Sequence, residues 1–161
     1  MAGDALTTPE GWYRPHQPNC LGCGDENPLG LRLRMRPRGE GVSGEVTFRP
    51  EHEGAPGFAH GGAVATALDD AFGMMLVKLG LPAVTARLEV DYRRPVFVGR
   101  PYTVRAECER RQGRKLWLEA CLLEGGVVVA AAQALFVRVD ERHFLQGREH
   151  ASDDGHRRLP W

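Results

Sequence analysis

Two adjacent acids, Asp69 and Asp70, stand in the middle of an otherwise apolar stretch that runs from Gly62 to Leu79. An ionised carboxylate away from water is costly unless something compensates it, so this pair is the first place to look for chemistry. A carboxylate so placed can act as a nucleophile or as a general base. Eight residues before Asp69 lies Gly61, within His60-Gly61-Gly62. At a helix start the amides of Gly61 and Gly62 have no intrahelical partner, and with the positive end of the helix dipole they can hold an oxyanion. The plainer alternative is that these glycines only permit a tight entry turn. Stepping three, four and seven residues along a helix, Asp69 shares its face with Gly62, Ala65, Thr66, Gly73 and Leu76. Small residues around an acid leave room for a ligand; the alternative is that Asp69 is solvated or accepts a structural hydrogen bond. Asp70 then reads as the ordinary surface acid of the pair.

Spacing constrains how these groups can cooperate. At about 1.5 Å rise per residue, Gly61 and Asp69 lie roughly 12 Å apart along one helix. A base and its oxyanion donors must both approach one reacting carbonyl within about 3 Å. One chain cannot supply both, so joint action requires a two-fold dimer in which the helix start of one subunit faces the mid-helix acid of the other.

Cysteines occur at 20, 23, 108 and 121. Cys108 and Cys121 sit singly inside strand-like segments and read as core thiols, so no secreted disulfide framework is indicated. Cys20-x-x-Cys23 with His16 nearby is half of a zinc site, but no second Cys-x-x-Cys or histidine pair follows to complete four ligands, and no metal is expected.

The elements that must position these residues follow from periodicity. Apolar residues at Val64, Ala67, Leu68, Ala71, Phe72, Met75, Leu76 and Leu79 predict one helix over 62–79, stopped by Gly80 and Pro82. Before it, Leu31, Leu33 and Met35 alternate with arginines, and 42–48 follows a Gly-rich turn, predicting a hairpin. After it, Val84, Ala86, Leu88, Val90 and Tyr92 predict a long strand that places Thr85 on the opposite face. Segments beginning at Tyr102, Leu116 and Val127 predict three more, joined by short turns that imply antiparallel neighbours. So long and apolar a helix must be covered over most of its circumference, which predicts an α+β fold with a curved antiparallel sheet of about six strands wrapped around it. Residues 1–19 read as a flexible arm, 20–146 as a single domain and 147–161 as a flexible tail.

Lysine plus arginine total 21, as do aspartate plus glutamate, so no net field favours nucleic acid or an anionic membrane. The start of the chain has no basic, apolar leader and no stretch is long enough to span a bilayer, so a cytoplasmic protein is expected.

The run His60-Gly61-Gly62-Ala63-Val64-Ala65-Thr66-Ala67-Leu68-Asp69 resembles the hotdog-fold acyl-CoA thioesterases of the phenylacetate-pathway (PaaI-like) type. Asn19-Cys20-Leu21-Gly22-Cys23-Gly24 with Asn27-Pro28-Leu29-Gly30-Leu31 is similar to the amino-terminal motif of one branch of that family, and 85–95 and Gln112-Gly113-Arg114-Lys115 are similar to its first strand after the helix and to a turn near the coenzyme. The resemblance implies a thioester hydrolase acting on aryl or fatty acyl-CoA, with no cofactor beyond the coenzyme A of its substrate. It implies that Asp69 is nucleophile or base, that the Gly61 amide with His60 adjacent polarises the carbonyl from the neighbouring subunit, and that Thr85 assists. Many relatives carry asparagine where this chain has Gly54. Phe58 and Gly62 are candidates to line the acyl channel, with Phe72 and Met75 as alternatives, and Arg93, Arg94, Gly113, Arg114 and Lys115 to meet the coenzyme phosphates. A homodimer or a dimer of dimers is expected. Two other readings stay open: a non-catalytic acyl-CoA sensor, and a dehydratase of the same fold.

Overall fold

The computed structural model describes residues 6–150. The first and last residues of the expected arm and tail, 1–5 and 151–161, lie outside the described residues. Six strands form one antiparallel sheet: β1 (Arg34–Arg38), β2 (Gly41–Thr47), β3 (Ala83–Tyr92), β4 (Pro101–Gln112), β5 (Lys115–Glu124) and β6 (Val127–Arg138). The spatial order is β1-β2-β4-β5-β6-β3, so β3, the first strand after the long helix, crosses over to become an edge. The helix α1 (Gly61–Leu79) packs on the concave face, and α2 (Arg142–His150) follows the last strand.

Helix α1 begins and ends where local chemistry dictates. His60 is extended and its ring Nδ1 accepts a hydrogen bond from the Gly62 N–H at 2.8 Å, satisfying one of the orphan donors of the first turn. At the other end Gly80 takes the left-handed conformation, φ 63°, and donates back to Leu76 and Val77, the conformation that glycine adopts without a Cβ penalty. Leu68, Phe72, Met75 and Leu76 are buried against the inward side chains of the sheet. Leu116, Leu118, Ala120 and Leu122 of β5 alternate inward as their spacing predicts, and Phe72 meets Phe136 edge to face with centroids 5.8 Å apart.

One alternation fails, and the failure matters. Pairing of β3 with β6 slips at Ala86: Thr85 opposes Phe136, but Arg87 opposes Leu135. The extra residue of this β-bulge reverses the phase of the strand. Directly opposed residues of an antiparallel pair share a face, so Thr85 shares the helix side with Phe136, whereas Val84 does not. The uninterrupted alternation expected from Val84 to Tyr92, which turned Thr85 away from the helix, is therefore corrected.

Two further expectations change. From residue 6 onward the amino-terminal segment lies against the domain: Tyr13 is buried and its N–H donates to Met35 O at 2.7 Å. The first residues of the expected tail, 147–150, belong to α2. Of the two cysteines expected in the core, Cys108 is half-buried against it, while Cys121 alternates with Ala120 and Leu122 and so takes the outer face of β5.

Candidate active site

Asp69 lies on the one strip of α1 that the sheet leaves open. Ala65, Thr66, Asp69 and Gly73 are half-exposed and Gly62 exposed, whereas Ala67, Leu68, Ala71 and Phe72 are buried. A side-chain carbon added at Gly73 would meet nothing within 4 Å, so the face of small residues does open onto free space. Leu76 departs from that expectation, being buried at 2 % exposure. Across the strip, the Thr85 hydroxyl donates to Asp69 Oδ1 at 3.1 Å. The bulge at Ala86 is what brings these two together. Burial raises the Asp69 carboxyl above its usual range; the Thr85 hydroxyl works against this, and negative charge at Cys20 adds to it.

The helix start is a second, separate cluster. With the Gly62 N–H taken by His60 Nδ1, only one of the two amides expected to serve an oxyanion remains available. No partner for the Gly61 N–H is seen among the described residues. The cap also fixes His60: an accepting Nδ1 leaves the proton of the neutral ring on Nε2, available as a donor. Tyr92, at the far end of β3, donates from its hydroxyl to Gly61 O at 2.7 Å and holds the Gly61–Gly62 peptide. A Cβ at Gly62 would lie 2.9 Å from His60 Nδ1, so a substituent there would push the capping ring aside. Gly54 has a similar reason: its Cβ would lie 3.0 Å from His60 Cα, so asparagine at this position would press on the cap.

Around these clusters, Phe58 is 39 % exposed and stacks on Phe97 at 5.3 Å, while Phe72 and Met75 are core. The Gln112–Lys115 turn, with Gly113 at φ 58°, lies at the Thr85 end of the sheet, because Leu116 pairs with Phe136, the partner of Thr85. There Arg114 lines a cleft of about 840 Å³ with Arg138, Arg142 and His143. Arg93 and Arg94 lie at the Tyr92 end, their amides on Val129 O. Within one chain the two basic groups are therefore at opposite ends of β3.

Asp70 is the largest departure. Far from being a surface acid, it is buried at 8 % exposure, beside Cys20 and His16. Burial first, then Cys20, pushes its carboxyl up to about 8. Within the same group Cys20 is held down at about 3, chiefly by hydrogen bonding from Cys23, whose own thiol is raised. The expectation of an incomplete ligand set fails here, because Asp70 supplies a fourth potential ligand from a different part of the chain.

A helix on the concave face of a six-stranded sheet in this order, with a histidine–glycine entry and a mid-helix acid, can be compared with known proteins. The thioesterase superfamily signature matches residues 56–131. Over that stretch the chain is similar to the thioesterase superfamily, and its fold is the hotdog fold of those proteins. It is 32% identical to the acyl-coenzyme A thioesterase THEM4 of Mus musculus over 90 residues, 55% of this chain and 39% of that protein. The chain thus spans about two fifths of the length of the curated relatives it matches. Among solved structures, the thioesterase superfamily protein RHA08564 superposes with a TM-score of 0.68 at 30% identity, covering 71% of this chain and 60% of that one. The PaaI protein of the E. coli phenylacetic acid degradation operon superposes with a TM-score of 0.64 at 20% identity, covering 68% and 81%, a likeness of fold. No helix among the described residues is long and apolar enough to cross a membrane.

Tyr92 and Asp70 are the two residues of these clusters that the sequence reading missed. Its spacing marks Tyr92 only as the last apolar residue of a strand. A signal for Asp70 was present in Cys20-Leu21-Gly22-Cys23, a compact pair of thiols lacking partners, next to which any buried acid becomes a candidate.

Proposed function

We propose that this domain hydrolyses acyl-CoA thioesters to the free acid and CoA, at composite sites formed by two copies of the chain. Asp69 of one protomer, oriented by Thr85, attacks the thioester carbonyl or activates the water that does so. The Gly61 N–H of the other protomer holds the developing oxyanion, with His60 Nε2–H beside it. The observation that carries this reading is the pairing of Asp69 with Thr85 on the open strip of α1, while the free Gly61 amide lies a helix-length of eight residues away.

The arrangement of β3 supports the composite site. This strand is an edge, exposed along most of its length, with Tyr92 and Gly61 at one end and Thr85 and Asp69 at the other. An exposed edge is a template for pairing. Two copies joined antiparallel along β3 would set the Gly61 end of each against the Asp69 end of its mate, giving two equal sites. The same operation would bring Arg93 and Arg94 of one protomer toward Arg114 and Lys115 of the other, a concentration of positive charge suited to the coenzyme phosphates. Phe58, half-exposed on Phe97 at the helix entry, is placed to cover the acyl portion. Support also comes from relatives: THEM4 is named an acyl-coenzyme A thioesterase, and a thioesterase of Streptococcus pneumoniae with this fold was solved with coenzyme A.

The test is thiol release from aryl, short-chain and long-chain CoA esters, followed with a chromogenic disulfide. Hydrolysis of at least one class, abolished in Asp69→Ala, is expected. Full turnover in Asp69→Ala, or ligand binding with no thiol release from any ester, would overturn the proposal.

A further inference from the structure

The group behind the catalytic strip has the chemistry of a metal centre. His16 Nδ1, Cys20 Sγ, Cys23 Sγ and a carboxylate oxygen of Asp70 all lie within 4.8 Å of one another. Cys23 Sγ is 3.0 Å from His16 Nδ1, Cys20 Sγ is 3.2 Å from Asp70 Oδ1, and His16 Nδ1 is 3.7 Å from Asp70 Oδ1. Tetrahedral zinc, with bonds of about 2.0–2.3 Å, sets its ligand atoms roughly 3.3–3.8 Å apart. Three of the six spacings, at 3.0, 3.2 and 3.7 Å, lie close to that range, and the four atoms are clustered tightly enough to close on one ion. We propose that His16, Cys20, Cys23 and Asp70 bind one zinc ion, which fastens the amino-terminal segment to α1 directly behind Asp69.

Three independent features support the assignment. Asp70 Oδ2 is buried and has no hydrogen-bond partner among the described residues, a state that is costly in a native interior unless something else satisfies the atom. The loop is shaped for a thiolate: the Gly22 N–H donates to Cys20 Sγ at 3.3 Å, the kind of outer contact that orients and tunes a metal-bound ligand. The glycines have no freedom to vary, since a Cβ at Gly22 would lie 2.2 Å from Asp70 Cγ and one at Gly24 would lie 2.3 Å from Pro18 O. At Gly22 the backbone is drawn in against Asp70 more tightly than any side chain would allow.

The donor set selects the ion. Two thiolates exclude magnesium and calcium, which take oxygen ligands, and favour zinc with an imidazole and a carboxylate completing the tetrahedron. All four positions come from protein, with Cys23 and Asp70 buried, so no position is open for substrate and the role is structural. Three ligands come from residues 16–23, before β1, and the fourth from the middle of α1, so a bound ion would cross-link two stretches far apart in sequence. The inference does not depend on the chemistry proposed for Asp69.

The test uses the full chain, purified without a chelator or a metal-affinity step, with zinc measured by plasma mass spectrometry. About one zinc per chain is expected. Exchange for Co²⁺ should give the intense visible bands of a four-coordinate ion and near-ultraviolet thiolate-to-cobalt charge transfer. Cys23→Ser should lose the charge transfer in part, and Asp70→Ala should weaken zinc retention by more than about tenfold. Because either variant can fail to fold, the cobalt spectrum of the unaltered chain is the deciding measurement. Its absence, a Cys20–Cys23 disulfide in protein kept under nitrogen, or zinc retention unchanged in both variants would overturn the proposal.

Discussion

Asp69 and Asp70 are neighbours in sequence and opposites in surroundings. A helix turns by about 100° per residue, and that single step carries one carboxylate to the open strip of α1 and the other into a closed group of two thiols and an imidazole. Among the described residues Asp69 has one hydrogen-bond partner, a hydroxyl, and free space lies beside it. Asp70 is nearly enclosed, and its second oxygen is unsatisfied among the described residues. On the proposed reading, one residue type divides into a reactive role and an anchoring role. Access to substrate and the number of polar neighbours decide which is which, and both are fixed by the tertiary fold.

The sharpest way to break the comparison is to exchange the consequences of the two acids. Asp69→Ala should lower turnover by about 10²–10⁴-fold, the range for loss of a positioned base, with no change in zinc content. If zinc fell and turnover survived, the roles would be reversed. Next in size, Gly22→Ala drives a methyl group into Asp70 and should destabilise the fold by about 1–3 kcal/mol, as overpacking does. Thermal unfolding would register this as a drop of several degrees, while Asp69 keeps its hydroxyl partner. A smaller effect is expected at the bulge: Thr85→Val removes the hydroxyl on Asp69 and should reduce kcat about tenfold, the lower end for a hydrogen bond to a charged group, with melting temperature nearly unchanged. The smallest belongs to the periphery. Arg114→Ala should raise KM for CoA esters a few-fold at constant kcat, since an exposed phosphate contact contributes binding without touching the carbonyl.

These contrasts also explain what could be read without coordinates. Helix α1 was legible because its apolar spacing and Gly80 act locally. The inward alternation of β5 was legible because its pairing with β6 runs unshifted from Leu116 to Leu122, and the extra residue where β5 meets β4 lies on β4, at Glu109. Thr85 was not, because the phase of β3 depends on a bulge that becomes visible only when Phe136 and Leu135 are placed opposite it. Asp70 was not, because its partner Cys20 is fifty residues away and no periodicity links a loop before the first strand to the middle of a helix. Asp69 and the helix entry emerged from residue types alone: an acid among small side chains, and glycines where amides are free.

The central claim is that a working site needs the acid of one protomer and the amide of another, and complementation tests it directly. Gly61 is the first residue of α1, following an extended His60 with ψ 136°, a position where proline is well tolerated and removes only an amide that has no helical partner. Gly61→Pro and Asp69→Ala should each be inactive alone. Mixed and allowed to exchange subunits, they should recover about a quarter of the unaltered rate, because half of the dimers are hybrids and each hybrid holds one intact site of two. No recovery after demonstrated subunit exchange would contradict the composite site.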